Sequence, residues 1–377
     1  MNRAYKYRVY PTAEQEQLLT DTFGSCRFVY NHYLALQSEN HQQGKAYMNK
    51  TACNNDCNRI LKQEQPWLKQ VDKFALTNAI YALDAAYQRF FRKQGGYPRF
   101  KSRHHSRMSY TTNYTNGNIA ILDGAVRLPK LGKVKAIVHR AAPEDWRLKQ
   151  ATVSREGDGS YYVSVLYGYE AVIMPQAVNP EQVIGLDYKS DGLYMDSEGR
   201  CCGMPHYYRK NQKKLTKAQR KLKAKQLQSV NYRKQQKKIV RVAKKAANQR
   251  KDYLHKKSTE IAKQYDLVCV EDLNMRALAN RKFGNGKATM DNGYGSFLIM
   301  LKYKLESRGK RLIRIEKWYA SSKTCSSCGK VKMMPLSVRR YECSCGMSMD
   351  RDLNAAINIR NRGMRYIEKQ HRNNQKL

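Results

Sequence analysis

The sequence is poor in acidic residues and in long apolar runs. Its 377 residues include 31 Asp and Glu against 71 Lys and Arg, which gives a formal net charge of +40. Such a surplus repels itself in a compact fold and is expected only beside a polyanion. No run of 18 apolar residues is present, and the first residues lack the apolar core of a signal peptide. We therefore predict a cytoplasmic protein that binds nucleic acid and no membrane.

Phenylalanine and histidine are also scarce. Only 8 phenylalanines accompany 27 tyrosines, and tyrosine rings suit a wet interface because they both stack and hydrogen-bond. The eight histidines form no motif typical of an HNH or histidine–metal site. Six of the ten cysteines are scattered, and the helical spacing of Cys53 and Cys57 indicates packing rather than a metal site.

The remaining four cysteines form two tight pairs, Cys325/Cys328 and Cys343/Cys345, with 14 residues between the pairs. This arrangement brings four thiolates within reach of one tetrahedral ion, which is typical of a closed structural zinc site. Two disulfides are the alternative, but nothing else in the chain indicates an oxidising compartment. A closed four-sulfur site has no open position, so this zinc is predicted to position its neighbours and to do no chemistry.

Three acidic residues follow patterns that predict a second metal site. Asp187 and Glu271 each end a short apolar run whose β-branched residues favour a strand. Asp352 lies at the start of a helical pattern just after the cysteines. If the two strands are parallel neighbours, the three carboxylates meet, and they stay ionised only around cations. Two Mg²⁺ or Mn²⁺ ions roughly 4 Å apart are the usual arrangement in sites that cleave phosphodiesters.

Simpler interpretations of these acids remain open at this point. Asp352 could be a helix N-cap, which is a common position for Asp, and Asp187 and Glu271 could be solvated strand ends. The ordered combination with the cysteine pairs favours the metal cluster.

The ordered motifs VIGLD, VCVEDLNM, the cysteine pairs and DRDLNAAINI resemble the RuvC-type nuclease half of TnpB proteins. These are transposon-encoded relatives of the type V CRISPR nucleases. The N-terminal KYRVYPTAEQEQLL and FGSCRFVYNHYL resemble the opening of the same family, so the likeness spans nearly the whole chain. Two departures stand out. The second cysteine pair is C-x-C instead of C-x2-C, and Tyr188-Lys189-Ser190-Asp191 replaces a frequent Leu-Gly, which we expect to alter the approach of a phosphate.

The resemblance implies an RNA-guided DNA endonuclease with one RuvC-like active site, which recognises a short flanking DNA motif. Its guide RNA would derive from the transposon end and its target would be double-stranded DNA. Asp187, Glu271 and Asp352 would be the catalytic acids, with Asp350 as the alternative to Asp352. We expect a monomer. An RNA-guided repressor without cleavage and a transposase- or resolvase-like nuclease without a guide are the alternative functions.

The predicted fold is a multidomain α+β protein. A small antiparallel β-barrel with an inserted helical domain precedes an RNase H-like α/β domain that carries an inserted zinc ribbon. Residues 2–10 are predicted to form an edge strand that joins the barrel. The predicted parts are 1–10 (first barrel strand), 11–95 (helical recognition domain), 96–178 (rest of the barrel), 179–320 (RuvC-like domain, with basic helices at 209–257), 321–347 (zinc ribbon), 348–360 (end of the RuvC-like domain) and 361–377 (disordered basic tail).

Two helical regions are predicted to contact nucleic acid. Leu76, Ile80, Leu83, Tyr87 and Phe90 follow one core stripe of a helix, whose start resembles the family's reader of the flanking motif. Between residues 209 and 257 there are 20 basic residues and one acid, and we expect two antiparallel helices, broken near residue 230, that follow the guide–target heteroduplex. The candidate contacts are Lys73, Phe74, Asn78, Arg209, Lys210, Lys213, Lys214, Lys217, Arg220, Lys221 and Lys323.

Overall fold

A computed structural model describes the backbone of residues 1–103, 106–280, 286–335 and 337–374 and side chains through residue 369. Its contacts divide the chain into two compact units, Met1–Ala171 and Val172–Leu377. Within the described ranges, no helix is both long enough and apolar enough to cross a bilayer.

The first unit combines helices with an antiparallel sheet. Helix α1 begins with a capping box, in which the Thr12 hydroxyl accepts from the Gln15 amide and the Gln15 side chain accepts from the Thr12 amide. In chain order the elements are β1 (Asn2–Tyr10), α1 (Ala13–Gln42), α2 (Lys50–Asp56), α3 (Lys62–Glu64), α4 (Lys73–Phe91), β2 (Met108–Asn113), β3 (Ala120–Leu122), β4 (Ala125–Leu128), β5 (Gly132–Ile137), β6 (Arg147–Arg155) and β7 (Tyr161–Gly168).

The sheet of this unit is open, so the predicted closed barrel is wrong. Its strand order is β2-β6-β7-β1-β5-β4-β3, and the described parts of β2 and β3 pair only with β6 and β4. Helix α4 packs along β2, where the Asn78 amide donates to the carbonyl of Thr111 at 2.9 Å. The edge-strand prediction for residues 2–10 is also wrong. Strand β1 lies inside the sheet, since it pairs with β7 along one edge and with β5 along the other, and its Tyr7 and Val9 side chains are buried in the core.

Helix α4 confirms the predicted core stripe except at its last position. Leu76, Ile80, Leu83 and Tyr87 are buried, whereas Phe90 is 37% exposed. The stripe ends there, one residue before α4 itself ends at Phe91. Cys53 and Cys57 are buried in the same core, as their helical spacing predicts.

The second unit is a mixed sheet covered by helices on both faces. Its elements are β8 (Val183–Tyr188), β9 (Gly192–Asp196), β10 (Cys201–Gly203), α5 (Tyr207–Lys223), α6 (Val230–Gln264), β11 (Leu267–Glu271), α7 (Met275–Leu278), α8 (Gly286–Asn292), α9 (Tyr294–Glu306), β12 (Arg311–Ile315), β13 (Arg340–Glu342), β14 (Ser348–Asp350) and α10 (Arg351–Asn374).

The five-stranded sheet has the order β10-β9-β8-β11-β12, and β8, β11 and β12 are parallel. Alternate side chains of the central strands enter two cores, as the period-2 geometry of a strand requires. On one face, Leu186 and Val270 pack with Phe297 of α9. On the other face, Cys269 packs with Ile359 of α10. The predicted strands that precede Asp187 and Glu271 are therefore confirmed as buried central strands.

Helix α10 differs from the prediction of a disordered tail from residue 361. It continues through Asn374, and residues 375–377 lie outside the described part of the chain. Ile367 is buried, and a Cβ atom on Gly363 would lie 2.1 Å from the Sγ atom of Cys269. The tail is helical because its early turns have an apolar strand to pack against.

The basic segment forms two helices, as predicted. Ser229 caps α6, with its hydroxyl accepting from the Tyr232 amide at 3.0 Å. The helices α5 and α6 pack through a thin apolar seam that includes Leu215, Ala218 and Ala246. Their other faces carry the lysines and arginines.

Candidate metal centre and nucleic-acid interface

Asp187 and Glu271 lie at the same end of adjacent parallel strands. The register between β8 and β11 pairs Leu186 with Val270, so the two acids follow in neighbouring positions. The carboxyl ends of parallel strands meet at one edge of a sheet, which is the usual place for a site in an open α/β fold. The strand pattern therefore brings together two acids that are 84 positions apart in the sequence.

Asp352 comes to the same edge from the first turn of α10. Helix α10 crosses β8 in direct backbone contact, since a Cβ atom on Gly185 would lie 2.1 Å from the carbonyl oxygen of Ala356. The N-cap of α10 is Asp350, whose Oδ1 atom accepts from the amides of Asp352 and Leu353 at 2.9 and 3.0 Å. Because Asp350 makes these cap hydrogen bonds, the Asp352 carboxylate is free to face the sheet edge.

The three carboxylates interact electrostatically. Burial raises the pKa of Asp187 well above its usual value, and the negative charges of Glu271 and Asp352 raise it further. Burial also raises the pKa of Glu271, against the opposing effect of a hydrogen bond from the Ser321 hydroxyl. Tyr294 lies buried beneath them, and the pKa of its phenol is raised by burial and by the charges of Asp187 and Glu271.

Two cations, Arg351 and Lys189, lie near this edge and oppose the rise in the pKa of Asp187. The Lys189 ammonium is 3.6 Å from Oδ2 of Asp352, and both side chains are partly exposed. The lysine belongs to the departure from the TnpB pattern that follows Asp187. Its single charge cannot neutralise three carboxylates.

The chemistry of these donors fits hard divalent cations. Carboxylate oxygens are the ligands that Mg²⁺ and Mn²⁺ prefer. The pKa of Asp187 is raised first by burial and then by neighbouring negative charge, and a bound cation would oppose both effects. The carboxylates do not converge on one point. Among the described residues, only the four ribbon cysteines form a group of at least three ligand atoms within 4.8 Å of one another.

The four predicted cysteines, Cys325, Cys328, Cys343 and Cys345, do form one compact cluster. The sulfur atoms of Cys325 and Cys345 are 3.7 Å apart, and those of Cys328 and Cys343 are 3.6 Å apart. Four thiolates at about 2.3 Å from a tetrahedral zinc ion would be about 3.8 Å from each other, so the cluster fits that ion. A disulfide needs about 2.05 Å. The cluster is thus a zinc-ribbon-like site despite its C-x-C spacing.

Two asparagines of α10 connect the cysteine cluster to the acids. Asn354 accepts from the Ser326 amide at 2.9 Å and donates to the carbonyl of Thr324 at 2.7 Å. Asn358 donates to the carbonyls of Ser321 and Thr324 at 2.9 and 2.6 Å. Both asparagines are buried. The first turn of the ribbon is therefore joined to the helix that carries Asp352, and Ser321 of the same turn hydrogen-bonds Glu271.

Sequence reasoning did not identify this supporting set, namely Lys189, Tyr294, Ser321, Asn354 and Asn358. The asparagines did leave a signal, because they are polar residues four positions apart on the otherwise apolar LNAAINI face. Ser321 and Tyr294 left none, since only the tertiary contacts reveal their roles.

The three candidate contacts at the start of α4 differ in accessibility. Lys73 is exposed and its ammonium lies 5.0 Å from the centre of the half-buried Phe74 ring. Asn78 is half-buried, and its amide nitrogen already donates to Thr111 and Asn113. Asn78 is thus committed to holding α4 on strand β2.

The seven candidate contacts on α5 are all exposed: Arg209, Lys210, Lys213, Lys214, Lys217, Arg220 and Lys221. Five of them line one open surface groove at helical spacing: Arg209, Lys213, Lys217, Arg220 and Lys221. The buried carboxylate of Asp291 accepts from the amides of Tyr208 and Arg209 at 3.1 and 3.4 Å and so caps the helix. Lys323 is partly exposed beside the cysteine cluster.

Three family models match separate parts of the chain. Residues 1–46 match a helix-turn-helix domain of the OrfB_IS605 type, residues 152–282 a probable transposase of that type, and residues 294–359 a Cas12f1-like TNB domain. The first match covers one strand and one long helix in this structure. The third covers the cysteine cluster and Asp352.

Two relatives align over almost the full length. A protein of Streptomyces pristinaespiralis, named as an RNA-guided DNA endonuclease, is 35% identical over 367 residues, which are 95% of this chain and 89% of that protein. InsQ of Escherichia coli strain K12, with the same description, is 30% identical over 379 residues, 95% and 91% of the two chains. A solved complex of Cas12f1 with single-guide RNA and target DNA superimposes with a TM-score of 0.61 at 12% identity, over 96% of this chain and 99% of that one. The last likeness concerns the fold alone.

Proposed function

This chain belongs to the TnpB family of RNA-guided DNA endonucleases, and we propose that it cleaves DNA at a single acidic site to which a bound RNA directs it. The observation that carries the proposal is the position of Asp187, Glu271 and Asp352 at one sheet edge, where burial, and then the charges of the other two acids, raise the pKa of Asp187. Acids kept together at such a cost are typical of functional sites rather than of stable surfaces.

The three acids would hold Mg²⁺ or Mn²⁺. Two bound divalent ions would supply an activated water and stabilise the leaving oxygen of the cleaved strand. The Ser321 hydroxyl, which hydrogen-bonds Glu271, would orient it, and the cap made by Asp350 favours Asp352 as the third ligand. The cysteine cluster would hold zinc in a closed site that positions α10 and takes no part in the reaction.

The basic surfaces have separate parts in this proposal. The exposed row on α5 would follow the phosphates of the guide–target heteroduplex without reading its sequence. Lys73 and Phe74 would contact the flanking DNA motif, and the hydrogen bonds of Asn78 favour a supporting position for that residue. Lys323 would contact a phosphate near the site. The predicted division into recognition, sheet, nuclease and ribbon parts is proposed on the same basis, as are a guide from the transposon end and a monomeric state.

Substitution of Asp187 by Ala tests this function. We expect RNA-guided binding of target DNA within about twofold of the unaltered protein and cleavage lowered by at least about a thousandfold, since a metal ligand is lost. Binding is measured by electrophoretic mobility shift and cleavage by the rate of strand scission on the same DNA.

Asp191→Ala is the matched control, because Asp191 is an exposed carboxylate four positions along the chain. It should cleave normally. Cleavage that survives in the Asp187 variant would refute the site assignment, and guide-independent binding of the target by the unaltered protein would refute RNA direction.

A further inference from the structure

A group of exposed aromatic rings lies at the end of α4 and on residues 92–101, which follow it and which we call the strap. Phe91 and Tyr97 are 54% and 46% exposed, and Phe90 lies between them with ring centres 5.7 and 5.4 Å away. Phe100, further along the strap, is 63% exposed. We call Tyr47, Phe90, Phe91, Tyr97 and Phe100 the aromatic platform. The proposed function of this chain uses none of these rings.

The platform is held in place from below. Tyr87, which is buried, lies 5.9 Å from Phe91 in a stacked arrangement and hydrogen-bonds the Tyr97 hydroxyl at 3.0 Å. The Tyr97 hydroxyl also contacts Ser38 at 2.9 Å. Rings held in this way lose little conformational freedom when a ligand binds.

The strap is also anchored beyond Phe100. The Asn31 side chain of α1 hydrogen-bonds both the amide and the carbonyl of Lys101, at 2.8 and 2.9 Å. Phe100 is therefore exposed on an ordered backbone with an anchor on each side. A large apolar ring kept in solvent by an ordered segment is a feature of interaction sites.

The charge around the platform is predominantly positive. Residues 89–103 include six basic residues and no acidic one: Arg89, Arg92, Lys93, Arg99, Lys101 and Arg103. Lys50 extends the patch, with its ammonium 5.3 Å from the centre of the Tyr81 ring. The carboxylate of Asp84, nearby, accepts a hydrogen bond from Tyr47.

Flat apolar faces interleaved with cations complement a flexible strand of bases and phosphates. Duplexes hide the faces of their bases, whereas unpaired bases stack on aromatic rings while the phosphates meet lysine and arginine. We propose that the aromatic platform binds unpaired bases of RNA. The choice of RNA rests on the proposed function, which gives this chain an RNA partner before it meets DNA.

The test compares the full-length protein with its Phe91→Ala/Phe100→Ala variant. The probes are a labelled oligouridine of about 12 nucleotides, an abasic strand of the same length and an RNA duplex. Binding is measured at about 0.3 M salt, where exposed phosphate contacts are screened. We expect oligouridine to bind the variant at least about fivefold more weakly, the factor for one lost stacked base. The abasic strand and the duplex should bind as before, with an unchanged salt slope.

Two matched variants control the test. Phe91→Tyr/Phe100→Tyr keeps the rings and should restore binding. Tyr114→Ala removes a ring of 41% exposure elsewhere in the same unit and should leave binding unchanged. Thermal unfolding of all variants checks that the fold is intact.

Several results would overturn the proposal. The first two are unchanged oligouridine binding by the Phe91→Ala/Phe100→Ala variant and an equal loss of affinity for the abasic strand. An equal loss of affinity for oligothymidine would assign the platform to single-stranded DNA. Loss of self-association in sedimentation would assign the platform to contact with a second copy of the chain. None of these results depends on cleavage, so they would overturn the platform proposal and leave the proposed function standing. Conversely, normal oligouridine binding by the platform together with normal cleavage in the Asp187→Ala variant would overturn the site assignment and leave the platform proposal standing.

Discussion

The cysteine cluster and the acid site of the second unit both gather groups of like charge, but the chain assembles them in opposite ways. The four sulfur atoms come from two short turns within 21 residues and all lie within 4.8 Å of each other. The three acids come from two strands and a helix and remain apart at a sheet edge. A local cluster depends on its own turns, whereas the acid site depends on every contact between those elements.

The two clusters are also connected, so a defect in one should reach the other. Asn354 and Asn358 tie the ribbon turn to α10, and Ser321 of that turn hydrogen-bonds Glu271. The effect of each cluster on the other should be unequal. Loss of the zinc site should disturb the acids, but loss of an acid should leave the sulfur atoms in place.

The largest effect is expected from Cys343→Ser. The backbone amide of Cys345 lowers the pKa of the Cys343 thiol to about 6, which favours the thiolate that zinc binds. Zinc content, measured by atomic absorption, should fall from about one ion per chain to almost none, and cleavage should fall about a hundredfold as α10 loses its support. Cys201→Ser, at an exposed free cysteine outside the cluster, is the control. Full cleavage by a zinc-free protein would contradict the expected dependence of the acid site on the cysteine cluster.

A smaller effect is expected from Asn358→Ala. The carbonyls of Ser321 and Thr324 would each lose a buried hydrogen bond, so the free energy of unfolding should fall by about 2–4 kcal/mol. Urea unfolding measures this change, and cleavage should fall while zinc content stays near one ion. Asn361→Ala, at a half-buried position whose side chain accepts from the adjacent Arg360, should change neither. An unchanged cleavage rate in the destabilised variant would show that the asparagine supports the fold alone.

Asp187→Asn should stabilise the protein when Mg²⁺ is absent and zinc is retained. The pKa of Asp187 is raised in the folded protein, so the stability that this group contributes at low pH is lost as pH rises through that raised value. At neutral pH the charge therefore destabilises the fold. Its removal should raise the melting temperature by about 2–4 °C, which is the shift expected in a unit of this size for a gain of about 1 kcal/mol in the free energy of unfolding.

The difference in melting temperature between Asp187→Asn and the unaltered protein should shrink as the pH falls toward about 3.9, the pKa of Asp in an unfolded chain. Thermal unfolding followed by circular dichroism across this pH range measures it, and Asp191→Asn is the control. Added Mg²⁺ should stabilise the unaltered protein more than the Asp187→Asn variant. A lower melting temperature for Asp187→Asn at neutral pH without Mg²⁺ would contradict the predicted repulsion.

The smallest effect is expected from Lys189→Met. The ammonium near Asp352 competes with a divalent ion for the same carboxylates, so its removal should lower the Mg²⁺ concentration for half-maximal cleavage by about two- to fivefold, as for one partly exposed ion pair. A Mg²⁺ titration of the cleavage rate measures this. Lys263→Met, an exposed lysine at the end of α6, should not shift the titration. A higher Mg²⁺ requirement would indicate that Lys189 instead holds Asp352 in place.

Part of the fold followed from local patterns, and part did not. The capping box at Thr12, the strands before Asp187 and Glu271 and the break near residue 230 are local features, and all are present. Other features depend on partners distant in sequence. These are the open form of the first sheet, the interior position of β1 and the helical continuation of α10. The prediction failed for Phe90 because periodicity marks one face of a helix and does not tell how far along the helix that face is covered.

The sequence by itself determined the strand and helix patterns and the cysteine spacing, because turns, apolar alternation and short metal-ligand spacings act over a few residues. Only the tertiary structure decided that Asp350 rather than Asp352 caps α10, and that α10 crosses β8 at Gly185. These arrangements depend on which backbones approach closely, and close approach is a property of packed elements rather than of any one segment.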